Sequence, residues 1–263
     1  MYSLRKFAGR TGNIGQPLPE IYDTMTRAKV KFRHGGTSLI AGAPGSFKSV
    51  LALNMLAKWA PQDVSGLYFS MDSDEFTVAK RLGGILSGDT SEQFEKNVQD
   101  GNAYKYVEPL SVLNNCQFVY HNVDMESITN YVKAFEAIHG EFPNVIFVDN
   151  LINTVDDPTD WGGMIRMILD LDSLARETKA HICVLHHASE AWAEKHPGEP
   201  PPSAYIQGKV NQIPRMVLTV ASTPMLELNI AVVKNTNGPM DASAKNYRTF
   251  YVDEAMKVNE SAR

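Results

Sequence analysis

The chain has 263 residues, a net charge of −5 and an apolar fraction of 43%, enough for one α/β domain with a large buried sheet or for two small domains. No apolar run approaches a membrane span, and the N-terminus has no apolar stretch behind Arg5 and Lys6, which argues against a spanning helix or a secretory leader and for a cytoplasmic protein. The acid excess excludes a surface that is basic throughout, though not a local basic groove or a channel made on assembly. Two cysteines, Cys116 and Cys183, stand in apolar contexts and read as reduced core residues.

Residues 1–25 carry Gly9, Gly12, Gly15, Pro17 and Pro19 without periodicity. They read as an arm packing on a neighbouring subunit or as a loose terminus, with a domain boundary at 34/35. Over 27–34 basic and apolar residues alternate, as on a half-exposed strand with a solvated face. Gly35 and Gly36 then turn the chain into a short apolar strand ending at Ala41, a Gly- and Pro-bearing turn, and a helix over 50–60.

Downstream the rhythm is regular. Strands are expected over 66–71, 117–120, 144–149 and 181–186, and helices over 75–82, 92–98, 125–138 and 164–178. The strand ending at Asp149 is apolar on both faces, as in a parallel sheet covered by helices. Residues 189–206 hold Pro197, Gly198, Pro200, Pro201 and Pro202 and read as a long structureless loop. Strand patterns over 215–221, 226–234 and 248–252, joined by turns at Thr223-Pro224 and Asn237-Gly238-Pro239, predict antiparallel pairing at the end. The sum is one α/β domain with a mostly parallel sheet flanked by helices and antiparallel strands at the C-terminal end.

Gly42-Ala43-Pro44-Gly45-Ser46-Phe47-Lys48-Ser49-Val50 sits between strand and helix, where the backbone N–H groups of a P-loop surround phosphate oxygens. Gly42, Lys48 and Ser49 fit G-x-x-x-x-G-K-[ST], with Lys48 for the β- and γ-phosphates and Ser49 for Mg²⁺. Phe47 replaces the second glycine. If Phe47 has helical dihedrals its Cβ need not clash and its N–H still points at the ligand; alternatively Gly45 supplies the flexibility. Asp149, at a strand end about a hundred residues on, stands where a carboxylate holds the Mg²⁺ of a bound nucleotide. Adjacent His186 and His187 point to opposite faces and cannot easily chelate one ion. His181 and Cys183 match no zinc spacing.

These residues and others make the stretch from about Gly35 to Val252 resemble the RecA-like ATPase core of the DnaB-type hexameric replicative helicases. Phe69-Ser70-Met71-Asp72 resembles the strand end whose Glu activates water in that family. The resemblance implies Asp72 as base and Glu75 as its substitute; by itself the spacing also fits an N-cap. His187 stands where the family senses the γ-phosphate with Gln, and equally reads as a core His. The 208–215 stretch, from Gly208 to Arg215, resembles the family's Gly-Ser-Ile-Glu-Gln. Lys234, followed by Asn237-Gly238-Pro239, resembles the segment that reaches the nucleotide of a neighbouring subunit, with Thr236 in place of the arginine finger: either Lys234 does the work alone, an arginine such as Arg215 or Arg248 replaces the finger, or hydrolysis is slow. By the same resemblance, loops 150–163 and 189–209 face a central channel. Trp161 and Tyr205 (with Trp192) would stack on single-stranded DNA, and Lys195, Lys209 and Arg215 would contact its backbone; each loop reads equally as a mobile surface segment.

What the resemblance implies is a homo-oligomer, a hexameric ring with ATP and Mg²⁺ at subunit interfaces, moving on single-stranded DNA in replication or recombination. With only a short arm before residue 35, it looks like a phage-encoded version without the N-terminal collar, acting in the cytoplasm of a bacterial host. A RecA- or KaiC-like ATPase with a recombinase or regulatory output, or a weakly hydrolysing nucleotide-binding assembly protein, are the alternatives.

Overall fold

The computed structural model describes residues 15–261. Among these the chain opens with a short helix, α1 (Asp23–Arg27), then runs β1 (Thr37–Gly42), α2 (Lys48–Trp59), β2 (Gly66–Ser70), α3 (Glu75–Ser87) and α4 (Ser91–Gln99). A single turn, α5 (Val107–Leu110), leads to β3 (Cys116–Val119), α6 (Met125–His139), β4 (Val145–Asp149), α7 (Trp161–Thr178) and β5 (His181–His187). After α8 (Glu190–Lys195) come β6 (Met216–Ser222), β7 (Glu227–Asn235), β8 (Tyr247–Val252) and the short β9 (Val258–Asn259).

The strands form one sheet in the order β3-β2-β4-β5-β1-β6-β7-β8-β9. Pairing is parallel from β3 through to β6 and antiparallel from β6 to β9. The expected α/β fold is therefore the one observed. Its cause is visible in the strands, because β1, β2 and β4 are buried at every position and must be covered on both faces. Alternate residues feed two apolar clusters. Ile40, Tyr68, Phe147 and Cys183 meet α2 and α3 on one side. Leu39, Phe69, Ile146 and Val184 meet α6 and α7 on the other. Cys116 and Cys183 are free and buried, and burial pushes each thiol up to about 12.

Helix ends follow local chemistry. Asp124 caps α6 by accepting from the Ser127 N–H at 2.8 Å, and Gly140 closes it with φ 80°. Helix α3 continues five residues past its expected end at Leu82. Its two internal glycines serve close packing rather than termination: a Cβ at Gly83 would lie 2.3 Å from the Phe94 ring, and one at Gly84 would lie 2.8 Å from the Ala255 carbonyl oxygen.

Three expectations need correction. Residues 27–34 form no strand of the sheet. Arg27 ends α1 and Ala28 and Lys29 form a turn; only the stretch after them runs antiparallel to 15–18, the Gly15 and Leu18 N–H groups donating to the His34 and Phe32 carbonyls and the His34 N–H to the Gln16 carbonyl. Residues 15–34 are not separate from the α/β domain: Leu18, Tyr22, Met25, Val30 and Phe32 join its core, and the Trp59 indole donates to the Pro19 carbonyl at 2.8 Å. Residues 1–14, the rest of that arm, lie outside the described residues. The 189–206 stretch is not structureless either, because Ser189 caps α8 and the chain is ordered through a 3-10 turn, Ser203–Tyr205.

Register gathers the site. Gly42 pairs with His187 and Ser70 with Asp149, so the carboxyl ends of β1, β2, β4 and β5 open on one edge.

Candidate functional site

A cleft at that edge is lined by the loop from Pro44 to Val50 together with Asp72, Arg81, Asp149, His187 and Met256. The loop is shaped around Gly42, where a Cβ would lie 2.4 Å from Ser46 Oγ and 2.6 Å from the Val220 carbonyl oxygen. Gly45 has φ 74°. Phe47 does not have helical dihedrals: at φ 61°, ψ 23° it occupies the left-handed region. The chain thus keeps at this point a backbone conformation that glycine adopts freely and a bulky residue rarely does. The Phe47 ring, half-buried, packs against the core beneath it.

Lys48 is buried at the start of α2. Its ammonium donates to the carbonyl oxygens of Gly42 at 3.0 Å and Ala43 at 2.9 Å. Burial lowers its pKa from 10.5 to about 8, opposed by the charges of Asp149 and Asp72. Asp149 is 3% exposed and accepts from the Tyr68 hydroxyl at 2.7 Å. Burial raises its pKa, while the Tyr68 and Ser49 hydroxyls and the Lys48 charge pull the other way. A hydroxyl and a carboxylate converging beside a buried ammonium form a hard oxygen set of the kind Mg²⁺ takes. Ser46 Oγ is buried without a hydrogen-bond partner at the loop's turn, another polar atom left for a ligand to satisfy.

Asp72 lies beyond β2 and lines the cleft. It does not cap α3; Asp74 does, accepting from the Thr77 N–H at 2.8 Å. Glu75, its expected substitute, is exposed in the first turn of α3, outside the residues that line the cleft. His187 is half-buried at the end of β5, and burial first, then the Lys48 charge, lowers its pKa. His186 points away, with Nε2 3.1 Å from the Gln207 carbonyl oxygen. Among the described residues no three His, Cys, Asp or Glu side chains group as a metal site.

The remaining candidates fall into two places. Trp161 opens α7 against Gly208, where a Cβ would meet its ring at 2.5 Å, so Trp161 and Lys209 are neighbours. Tyr205 lies 4.6 Å from Trp192, which stacks on His196 at 3.9 Å, and Lys195 ends the same short helix. Trp192 is therefore spoken for by its own loop. Arg215 lies elsewhere, at the opposite end of the sheet, where its N–H donates to the Thr37 carbonyl at 3.2 Å. There it shares a basic cleft with Lys31, Arg33, His34 and Arg176, beside Asn235 and Asn237. Lys234 is engaged within its own chain, donating to the carbonyl oxygens of Asn211 at 3.1 Å and Gln212 at 2.6 Å.

Four residues in or behind the cleft are not singled out by sequence pattern. Arg81 projects from α3 with Nη1 3.4 Å from Ser73 Oγ, and Met256 reaches in from the β8–β9 turn at φ 60°. Tyr68 and Asn150 serve as partners of the carboxylates. Only Asn150 leaves a hint, as a polar residue directly after an apolar strand.

A parallel sheet with a strand–loop–helix at its central strand, a buried lysine and a strand-end carboxylate defines the class of P-loop ATPases with a RecA-like fold. The family described as AAA domain matches residues 27–191, more than half of the chain, and the chain belongs to it. It is 29% identical over 272 residues to the Gene 65 protein of Mycobacterium phage L5, covering 99% of each. It is also 29% identical over 239 residues to the Gene 65 protein of Mycobacterium phage D29, covering 84% of this chain and 98% of that one.

Among solved structures, a DnaB-like replicative helicase described with its primase interactions superposes with a TM-score of 0.79 at 14% identity, over 98% of this chain and 65% of that one. A second solved structure, of an ATPase domain, gives the same TM-score and identity over 98% of this chain and 95% of that domain. The expected fold resemblance is thus shown. No helix among the described residues is long and apolar enough to cross a membrane.

Proposed function

We propose that this ATPase is a motor on single-stranded DNA, assembled as a ring with nucleotide between subunits. The observation that carries the nucleotide chemistry is the convergence of Lys48, Asp149, Asp72 and His187 on one edge of the sheet. The loop N–H groups and Lys48 bind the phosphates of ATP, and ligand binding draws the ammonium off the Gly42 and Ala43 carbonyls. Ser49 and Asp149 would hold Mg²⁺, which when bound neutralises charge on the β- and γ-phosphates. Asp72 accepts the proton of the attacking water, directly or through a second water, and His187 donates to the γ-phosphate.

The oligomeric part of the reading is supported by the second basic cleft. Arg215 and Thr236 are joined across the β6–β7 edge, the Thr236 N–H and hydroxyl both donating to the Arg215 carbonyl at 2.9 and 2.8 Å. Arg215 therefore emerges beside the position of the missing finger, with Lys31 and Arg33 near it. In a ring, this edge would face the phosphates held by the next subunit. The DNA reading draws on the helicase likeness and on Trp161 and Lys209 sitting side by side.

ATPase rates of wild type and Lys48→Ala, each with and without single-stranded DNA, test the reading alongside mass measurement of the assembly. Stimulation by DNA, loss in the variant and a ring mass are expected. Normal ATP binding with a flat rate in the presence of DNA would instead favour the nucleotide-binding assembly protein. Hydrolysis surviving in Lys48→Ala would overturn the phosphate-binding assignment.

A further inference from the structure

Asn150 follows the Asp149 carboxylate and is 1% exposed. Its Oδ1 accepts from the Ile152 N–H at 3.0 Å. That bond fixes which end of the amide is which, so the NH₂ group faces the cleft. One of its protons goes to Asp72 Oδ2. The other goes toward His187 Nε2, 3.3 Å away.

A ring nitrogen that accepts a hydrogen bond carries no proton. His187 therefore holds its proton on Nδ1, and that atom is buried without a partner among the described residues. We propose that Asn150 is a positioning residue that locks His187 in the Nδ1–H tautomer and ties it to Asp72, so that the remaining ring donor, Nδ1–H, is the one a phosphate oxygen would have to engage. The use of that donor rests on the ATPase reading. The tautomer itself is a property of the ligand-free chain.

The charged and titratable groups facing His187 are Lys48 from the phosphate loop, Asp72 beyond β2, Glu190 at the start of α8, and His186 beside it on β5. None supplies the selecting bond. The Lys48 ammonium is spent on the Gly42 and Ala43 carbonyls, and His186 Nε2 on Gln207. Among the described residues, Asn150 is the one group whose donor meets Nε2 and whose orientation is set independently, from the backbone. An amide suits this task because it bridges a carboxylate and an imidazole without adding charge. A carboxylate at 150 would face Asp72 with like charge and offer Nε2 only an acceptor.

Two-bond proton–nitrogen NMR of full-length, ¹⁵N-histidine-labelled protein tests this, with His187 assigned through His187→Gln. In wild type, Nδ1 is expected protonated and Nε2 bare; in Asn150→Asp, Nε2 gains the proton. ATP turnover in Asn150→Asp should fall at least about tenfold in kcat while KM moves less than about threefold, the mark of lost positioning rather than lost binding. A wild-type Nε2–H tautomer, an even mixture, or His187 signals unmoved in Asn150→Asp would overturn the proposal. If Asn150→Asp fails to fold, the wild-type spectrum decides alone. Wild type with the expected tautomer but no ATP turnover would sink the ATPase reading and leave the tautomer inference standing.

Discussion

The Lys48 ammonium lies 3.0 Å from the carbonyl oxygen of Gly42, six residues back, so the ligand-free loop closes on its own cation. Two carbonyl oxygens satisfy the group only in part, and burial holds its pKa near 8 instead of 10.5. Between those values the folded chain binds fewer protons than the unfolded one, so stability rises with pH across that window and the cost of the charge is fully present below it. The cost is up to about 3 kcal/mol. Lys48→Met should therefore stabilise the ligand-free protein at pH 7 by a sizeable part of that amount, less the two lost hydrogen bonds. The gain should fade as the pH approaches 10.5. Urea unfolding at both pH values measures it, and ATP should raise the melting temperature of wild type but not of the variant.

Phe47 carries left-handed dihedrals that cost a bulky residue about 1 kcal/mol or more. Phe47→Gly should keep nucleotide affinity within a few-fold, because the same backbone is then reached without strain; the lost ring packing offsets any gain in stability. Phe47→Val should lose ATP binding, since a β-branched side chain opposes φ 61°. Gly42→Ala should lose it too, through the clash with the Val220 carbonyl. Titration with a fluorescent ATP analogue separates the three.

Much of this was open to reading from the chain. Apolar strands such as 145–149 with amphipathic helices between them dictate a covered parallel sheet, and Lys48 and Asp149 are marked by their places after strands. What escaped depends on distance in space. Phe47 departs from the motif in residue type while keeping the glycine-like backbone, and a pattern records only the former. Asp72 and Asp74 are indistinguishable as caps until the helix start is fixed by the Thr77 N–H. Arg81 and Met256 come to the cleft, and Tyr68 to the Asp149 carboxylate behind it, from three different elements, with no spacing to betray them. Residues 27–34 alternate like a strand, yet a helix end and a turn take up 27–29 and only the stretch after them pairs, with 15–18 and not with the sheet.

Two buried histidines should make the protein acid-sensitive. His181 joins Ser38 Oγ at 2.9 Å and the Arg33 carbonyl at 3.0 Å, and burial takes His181 and His186 each from 6.5 to about 4. The folded chain then binds fewer protons than the unfolded one below pH 6.5, so the stability is present above that value and drains away toward pH 4. Each should contribute a loss of about 2 kcal/mol by pH 5. Urea midpoints at pH 7 and 5 check this, and His181→Asn should flatten the dependence even though it lowers stability at pH 7.

Lys234 offers the sharpest test of the ring. In the isolated chain its ammonium is held by the Asn211 and Gln212 carbonyls, on the stretch that also carries Lys209. Should it act on the neighbour's nucleotide, one subunit supplies Lys48 and the next supplies Lys234 to each site. Lys48→Ala and Lys234→Ala proteins would each be inactive alone, yet mixing them forms interfaces that join an intact Lys48 to an intact Lys234. Turnover in a mixture that is re-equilibrated at the subunit level should rise well above either parent, with Arg215→Ala behaving like Lys234→Ala if Arg215 stands in for the missing finger. A mixture no more active than its parents would place Lys234 within its own subunit, where its bonds to 211 and 212 merely brace the turn.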